Sequence, residues 1–509
     1  MGSKTKQFTQ EKLTGTVYTP TGIVQSILDK CGYSGETILG KSILDPSCGD
    51  GRFLCEIVER IIKISPKDQL KDNLGFVHGW EIQKGALDQC RANLDKLVKP
   101  FGIKIRWKLE LGDALRHIED NRSLFGEKKS FDFIVGNPPY IRIQHLDEKT
   151  RAYIQSNYAL CEAGSTDIYV AFFELAMSLL SEKGTCGYIT PNTYLFTATA
   201  SGLREYFRAN KLIIQLVNYG AIQLFDDATT YSAITIFGST QRKHFTFRKA
   251  ESIDKFRSVQ IPFSDLPSAG GSWKLDGGNG VIQSNPAGSL PLGDICDIRV
   301  GLATLCDKAY IFKTSKGKPG LSVAHTKLCG DIEIETELLI PVIKCSTAKD
   351  CGSLPELRIL FPYMKDASQK KYVIIPEIEL SKKYPKAYDY LLKVRPELDK
   401  RDNGRPNDIA WYAFGRSQAL DICQGKKIVF SPMNSRPLFL VSPHEECFVY
   451  SGYFIKYGGD IEALASELNS ERMVEFINTA GKDMLGGWKG YSKKTIESFP
   501  SYLPPGKIL

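Results

Sequence analysis

The chain has 509 residues, 42% of them apolar and 24% charged, the composition of a folded protein of two or three domains rather than a disordered one. No stretch is apolar for long enough to span a bilayer, and the start (MGSKTKQFTQ) lacks a secretory apolar core, so a cytoplasmic location with no membrane partner is expected. Thirteen cysteines without a CxxC pair and six scattered histidines argue against a disulfide framework or a metal site; the net charge of +8 suits a polyanionic partner without requiring one.

In chain order, the first half alternates strands and helices. Ser42–Leu44 reads as a short strand, followed by a glycine-rich turn and a helix from Phe53 towards Ile64. Phe76–Glu81 is a second strand, Lys84–Val98 has helical spacing, Ile103–Leu109 alternates, and Phe131–Val135 is a buried-type strand ending at Gly136. A helix over Ser165–Leu180 and strands over Gly184–Ile189, Lys211–Val217 and Ala233–Phe237 complete this half. The alternation predicts an α/β fold: a mostly parallel sheet covered on both faces, with ligands outside the carboxyl ends of its strands. Pro267–Gly280 is rich in turn residues, and the pattern beyond Leu290 is irregular α+β. The expected division is a catalytic domain over 1–245, a linker or loop region over 246–287, and a second domain over 288–509.

Chemistry concentrates at the predicted strand ends. Asp45-Pro46-Ser47-Cys48-Gly49-Asp50-Gly51-Arg52-Phe53 opens a helix directly after a strand, and its glycines let the backbone approach a ligand. Glu81 ends the second strand, where nucleoside-binding sheets place the acid that grips ribose hydroxyls. Asp113, in Gly112-Asp113-Ala114 after the third strand, suits the amino group of an adenine ring. Singly, such acids are more often solvated caps; three at successive strand ends favour a nucleoside cofactor. The fourth strand ends in Asn137-Pro138-Pro139-Tyr140. Both prolines fix the backbone and neither donates an N–H, so the Asn137 side-chain oxygen and the Pro138 carbonyl can aim at one planar amine. The Tyr140 ring can stack on the base that carries it.

These motifs resemble the gamma class of adenine-specific DNA methyltransferases, the TaqI-like family. Val17-Tyr18-Thr19-Pro20 resembles the family's N-terminal cofactor motif, Asp45 to Phe53 its DPxCGxGxF loop, and Asn137 to Tyr140 its NPPY. Asp167 to Glu174 resembles the helix that closes over the cofactor, with Phe172 at its aromatic position, and Tyr188-Ile189-Thr190-Pro191 the strand and turn that follow. The resemblance implies a class I S-adenosylmethionine-dependent methyltransferase fold, with cofactor contacts from Tyr18, Thr19, Asp45, Pro46, Cys48 and Gly49. Further contacts are implied for Gly51, Glu81, Asp113, Ala114, Asn137 and Phe172. Asn137, Pro138 and Tyr140 would act on the extruded adenine, and Phe225, by similarity, would stack against it with Tyr140, although Tyr231 competes for that place. Double-stranded DNA is the implied partner, and a restriction–modification context would add a separately encoded cognate endonuclease.

With only 85 residues between Gly51 and Asn137, a recognition module is expected C-terminal to the catalytic half. The second half resembles, more faintly, target-recognition domains; residues 369–430 carry 13 Lys/Arg against 8 Asp/Glu around Trp411, Tyr412 and Phe414, a pattern that suits phosphate contact. The chain contains no Pro-Cys dipeptide for methylation of a cytosine carbon. A cytosine amine fits the same two acceptors, and an RNA acceptor shares the same chemistry, so both stay open on the residues alone. A protein-glutamine acceptor fits poorly with so large a second half and with the Tyr-Thr-Pro motif. No convincing nuclease motif follows the catalytic half, and a pure specificity subunit would have no use for NPPY.

Overall fold

The computed structural model describes residues 19–118, 129–162, 166–220, 222–225, 231–276, 280–281, 288–366, 371–484 and 487–507. The chain divides into two compact units, Met1–Ile282 and Gln283–Leu509. Among the described residues no helix is long and apolar enough to cross a membrane.

The first unit is built on a nine-stranded sheet. Its strands are β1 (Ile43–Asp45), β2 (Val77–Glu81), β3 (Lys108–Leu111), β4 (Phe131–Gly136), β5 (Leu180–Pro191), β6 (Ile213–Asn218), β7 (Ser232–Gly238), β8 (His244–Ala250) and β9 (Phe256–Pro262), in the order β3-β2-β1-β4-β5-β7-β6-β8-β9. The strands from β3 to β5 are parallel, and β7 runs antiparallel to both of its neighbours. Strand order reverses between β1 and β4, which opens a crevice at the carboxyl ends of those strands.

Residues along each strand alternate between two apolar layers. On β4, Ile134 joins the layer under α4 (Tyr169–Leu179) and α5 (Ser201–Asn210), and Val135 joins the layer under α1 (Thr21–Lys30), α2 (Arg52–Ile64) and α3 (Lys84–Val98). Burial on both faces explains why β7 (SAITIFG) is buried at every position. In α2, Phe53, Leu54, Ile57, Val58 and Ile61 recur at helical spacing and are buried; the helix stops at Ser65, whose extended backbone suits the following Pro66.

The structure corrects three expectations. β3 occupies 108–111 rather than 103–109, as the alternation before it forms no strand. The sheet does not stop at Phe237: β8 and β9 extend it, with Phe245 and Phe247 buried on one edge of the core. The stretch 246–287 is therefore no linker in its first part. Trp273 and Leu275 are buried in the first unit's core, and the buried Arg204 guanidinium of α5 donates to the carbonyls of Gly270 and Gly271.

The second unit is α+β. It holds a six-stranded sheet, antiparallel except for one parallel pair, and a four-stranded antiparallel sheet. Helices over Pro385–Leu398, Ile461–Leu468 and Glu471–Ala480 accompany them.

Candidate active site

Strand register sets the site. Asp45 pairs with Gly79 and Glu81 with Leu111, so each acid from Asp45 to Glu81 to Asp113 lies two residues further along than the last. All three line one cavity of about 220 Å³ at the carboxyl edge of the sheet. Thr19, Pro46, Ser47, Cys48, Gly49, Ile82, Ala114, Asn137, Pro139, Ile168 and Phe172 also line it.

The loop after β1 is held from below and from the side. The Ser47 N–H donates to Asp45 Oδ1 (3.0 Å), the Gly49 N–H to Glu81 Oε2 (3.0 Å) and the Gln83 N–H to Glu81 Oε1 (2.8 Å). Gly51 does not line the cavity: its φ of 91° opens α2, and a Cβ there would stand 2.7 Å from Cys90 Sγ. Gly136 is required by closeness too, since a Cβ would meet Asp45 Oδ1 at 2.7 Å. Burial, reinforced by the nearby Glu81 and opposed by the Ser47 N–H, pushes the Asp45 carboxyl up to about 8. Cys48 and Cys90 share a hydrogen bond that, with burial, holds the Cys48 thiol neutral. Asp113 caps the turn that follows it, accepting from the Leu115 N–H at 3.0 Å.

The Asn137–Tyr140 turn stands on the same rim. The Ser47 hydroxyl donates to the Asn137 main-chain carbonyl (3.3 Å), tying the glycine-rich loop to this turn. Pro138 is buried and is not among the residues that line the cavity. Tyr140 is half-buried against the core, outside the lining, and its hydroxyl donates to the Ile189 carbonyl (3.3 Å). Burial raises that hydroxyl far above the usual phenol range.

Of the sequence-predicted residues, Thr19, Asp45, Pro46, Cys48, Gly49, Glu81, Asp113, Ala114, Asn137 and Phe172 are brought together around the cavity. Tyr18 lies outside the described residues. Phe225 is not brought there: it is 2% exposed, packed in the layer that holds Tyr219 and Val217. Sequence reading missed the apolar side of the cavity, formed by Ile82, Ile141, Leu146 and Ile168, and the tether at Ser47. Ile82 carried a signal: an apolar residue directly after the strand-end acid, 66% exposed here, has no fold reason to face solvent.

The sheet order and this crevice define a class I S-adenosylmethionine-dependent methyltransferase fold. The chain superposes on the DNA-bound type IIL restriction–modification enzyme MmeI with a TM-score of 0.58 at 13% identity, covering 93% of this chain and 64% of that one. Residues 61–225 match the family described as Eco57I restriction-modification methylase. Over 513 residues the chain is 25% identical to the type II restriction enzyme and methyltransferase RM.Eco57I of Escherichia coli, covering 86% of this chain and 51% of that protein. It is 26% identical to the type II methyltransferase M.BanIII of Aneurinibacillus aneurinilyticus, covering 88% and 81%. The family match is confined to that segment, and the chain spans about half the length of the E. coli relative.

Proposed function

We propose that the protein transfers the methyl group of S-adenosylmethionine to the exocyclic N6 amine of adenine in duplex DNA, as a site-specific adenine DNA methyltransferase (EC 2.1.1.72) of a restriction–modification system. The observation that carries this reading is one cavity lined both by three strand-end carboxylates and by Asn137 of an Asn-Pro-Pro-Tyr turn. Its relatives' names as type II methyltransferases support the acceptor class.

The donor set fits a molecule with a cationic, a ribose and an aromatic part. Asp45 suits an ammonium, Glu81 ribose hydroxyls and Asp113 an adenine amino group, while Ile82, Ile168 and Phe172 offer apolar faces for the ring. When bound, S-adenosylmethionine supplies a methyl group already activated on a sulfonium. The chain's own work is positioning. The Asn137 side-chain oxygen and the Pro138 carbonyl accept the two N–H bonds of the target amine and draw its lone pair towards the methyl carbon. The nitrogen–carbon bond forms as the carbon–sulfur bond breaks, and the surplus amine proton leaves to solvent. Alignment supplies most of the rate, so no metal or covalent enzyme intermediate is needed. A base inside a duplex is out of reach of this turn, so the target nucleotide has to be extruded, and the proposed role of Tyr140 is to stack on it.

Residues 283–509 are the proposed target-recognition domain. Double-stranded DNA and a cognate restriction endonuclease are the proposed partners, and the cytoplasm, where that DNA lies, is the proposed location. In the test, Asn137→Ala is incubated with duplex DNA and a radiolabelled methyl donor. No label is expected in DNA while cofactor binding persists; wild-type labelling by the variant would overturn the role of Asn137.

A further inference from the structure

Three short segments lie side by side at the carboxyl edge of the sheet. The stretch that follows Tyr140 pairs with residues 166–168: the Ile143 N–H donates to the Thr166 carbonyl (3.0 Å) and the Ile168 N–H to the Ile141 carbonyl (2.8 Å). Thr166 in turn reaches the loop after β5, its hydroxyl donating to the Thr199 carbonyl at 3.1 Å. That loop thus stands one segment away from the amine-binding turn, and Tyr140 is anchored on the Ile189 carbonyl of the strand that leads into it.

Phe196 sits on this loop with 38% of its surface exposed, beside the exposed Ala198 and Thr199. The backbone around it is held firmly. The N–H groups of Phe196 and Thr197 both donate to the Thr193 carbonyl (3.1 and 3.0 Å), and the Trp273 N–H donates to the Leu195 carbonyl (2.7 Å). Arg204, 2% exposed, donates from one nitrogen to the Tyr194 carbonyl (2.6 Å) and the Thr197 carbonyl (2.7 Å), on either side of Phe196. A buried guanidinium spent on main-chain carbonyls is costly to desolvate, and here its bonds fix the two flanks of an aromatic ring that is itself left in solvent. Arg142 and His145 are exposed on the segment that follows Tyr140, with Asp167 near both.

We infer that Phe196 contacts the acceptor: its ring stacks on a nucleobase of the DNA at the rim of the methyl-transfer site. The inference rests on the reading of the protein as a DNA methyltransferase. A rigidly mounted aromatic loses little conformational freedom on contact, every base offers a π face, and the neighbouring basic groups suit the flanking phosphates. With Phe225 buried, Phe196 is an aromatic that this edge presents without rearrangement.

The test uses the full chain and enzymatically amplified, methyl-free bacterial genomic DNA. Wild type, Phe196→Ala, Phe196→Leu and Phe196→Trp are compared for the KM towards DNA, the affinity for S-adenosylmethionine, and the melting temperature. Phe196→Ala is expected to raise the DNA KM roughly 5- to 150-fold, the range of base–aromatic stacking, with cofactor affinity and melting unchanged. Phe196→Leu should stay impaired. Phe196→Trp should recover near-wild-type KM, and its extra indole emission should be quenched by DNA. Equal KM values for wild type and Phe196→Ala, or full recovery with leucine, would overturn the inference while leaving the methyltransferase reading intact. A wild-type protein that neither binds nor methylates this DNA would overturn both.

Discussion

Replacing Glu81 by alanine separates the loop contacts this carboxylate makes in the structure from the cofactor contact proposed for it. Its oxygens already accept from the Gly49 and Gln83 N–H groups at 3.0 and 2.8 Å, and the residue is 8% exposed. The two N–H groups belong to the loops around the cavity, so water entering the truncated site can take over much of their bonding. The cost to the fold is then about 1 kcal/mol. The cofactor loses a charged acceptor for its ribose hydroxyls, about 1–3 kcal/mol, which is roughly a 5- to 150-fold weaker Kd. Titration calorimetry with S-adenosylmethionine and with its demethylated product S-adenosylhomocysteine should give the same loss for both, because the ribose is common to them. Thermal melting of the same samples reads the loop. A folded Glu81→Ala protein with wild-type affinity would refute the cofactor role and leave Glu81 as a loop tether only.

Tyr140→Phe keeps the ring and loses the bond to the Ile189 carbonyl, about 1 kcal/mol; it should retain much of the methylation rate, whereas Tyr140→Ala should lose far more. A rise in 2-aminopurine fluorescence at the target position should likewise survive in Phe and fall in Ala. Asp45 has a folded pKa near 8, raised by burial and Glu81, above an unfolded value of about 3.9. The native state therefore binds more protons than the unfolded one between those values, so the Asp45 contribution to stability falls as pH rises across that window. Urea melts at several pH values should show this slope in wild type and a flatter one in Asp45→Asn; parallel curves would show that Asp45 is ionised in the native state. Arg204→Met strips the guanidinium bonds from the carbonyls of Tyr194, Thr197, Gly270 and Gly271. It should cost about 3 kcal/mol or more, read as a lower urea midpoint.

The polar half of the site was legible in the sequence because a parallel sheet delivers its strand ends to one edge. Once Asp45, Glu81, Asp113 and Asn137 are each placed just after a strand, their convergence follows from topology alone. The apolar half was not legible, since Ile141, Leu146 and Ile168 belong to loop segments whose approach depends on long-range pairing between 141–143 and 166–168. The same limit explains residues 246–276. Phe245 and Phe247 alternate as a strand should, yet the glycines and prolines after them read as a linker. Its first part is held by the pairing of β8 with β6 and β9, and Gly270 and Gly271 are held by Arg204, more than 60 residues earlier in the chain. Phe225, placed against the extruded base by resemblance alone, is packed among core residues in this structure.

The proposed reaction places a methyl group on an adenine amine. Purified protein, methyl-free duplex DNA and S-adenosylmethionine carrying a deuterated methyl group are combined, the DNA is digested to nucleosides, and these are separated by mass spectrometry. The label is expected in N6-methyldeoxyadenosine alone, with none from Asn137→Ala. Label in N4-methyldeoxycytidine would keep the amine chemistry and contradict the base; label in 5-methyldeoxycytidine, or no label from a folded wild-type protein, would contradict the account itself.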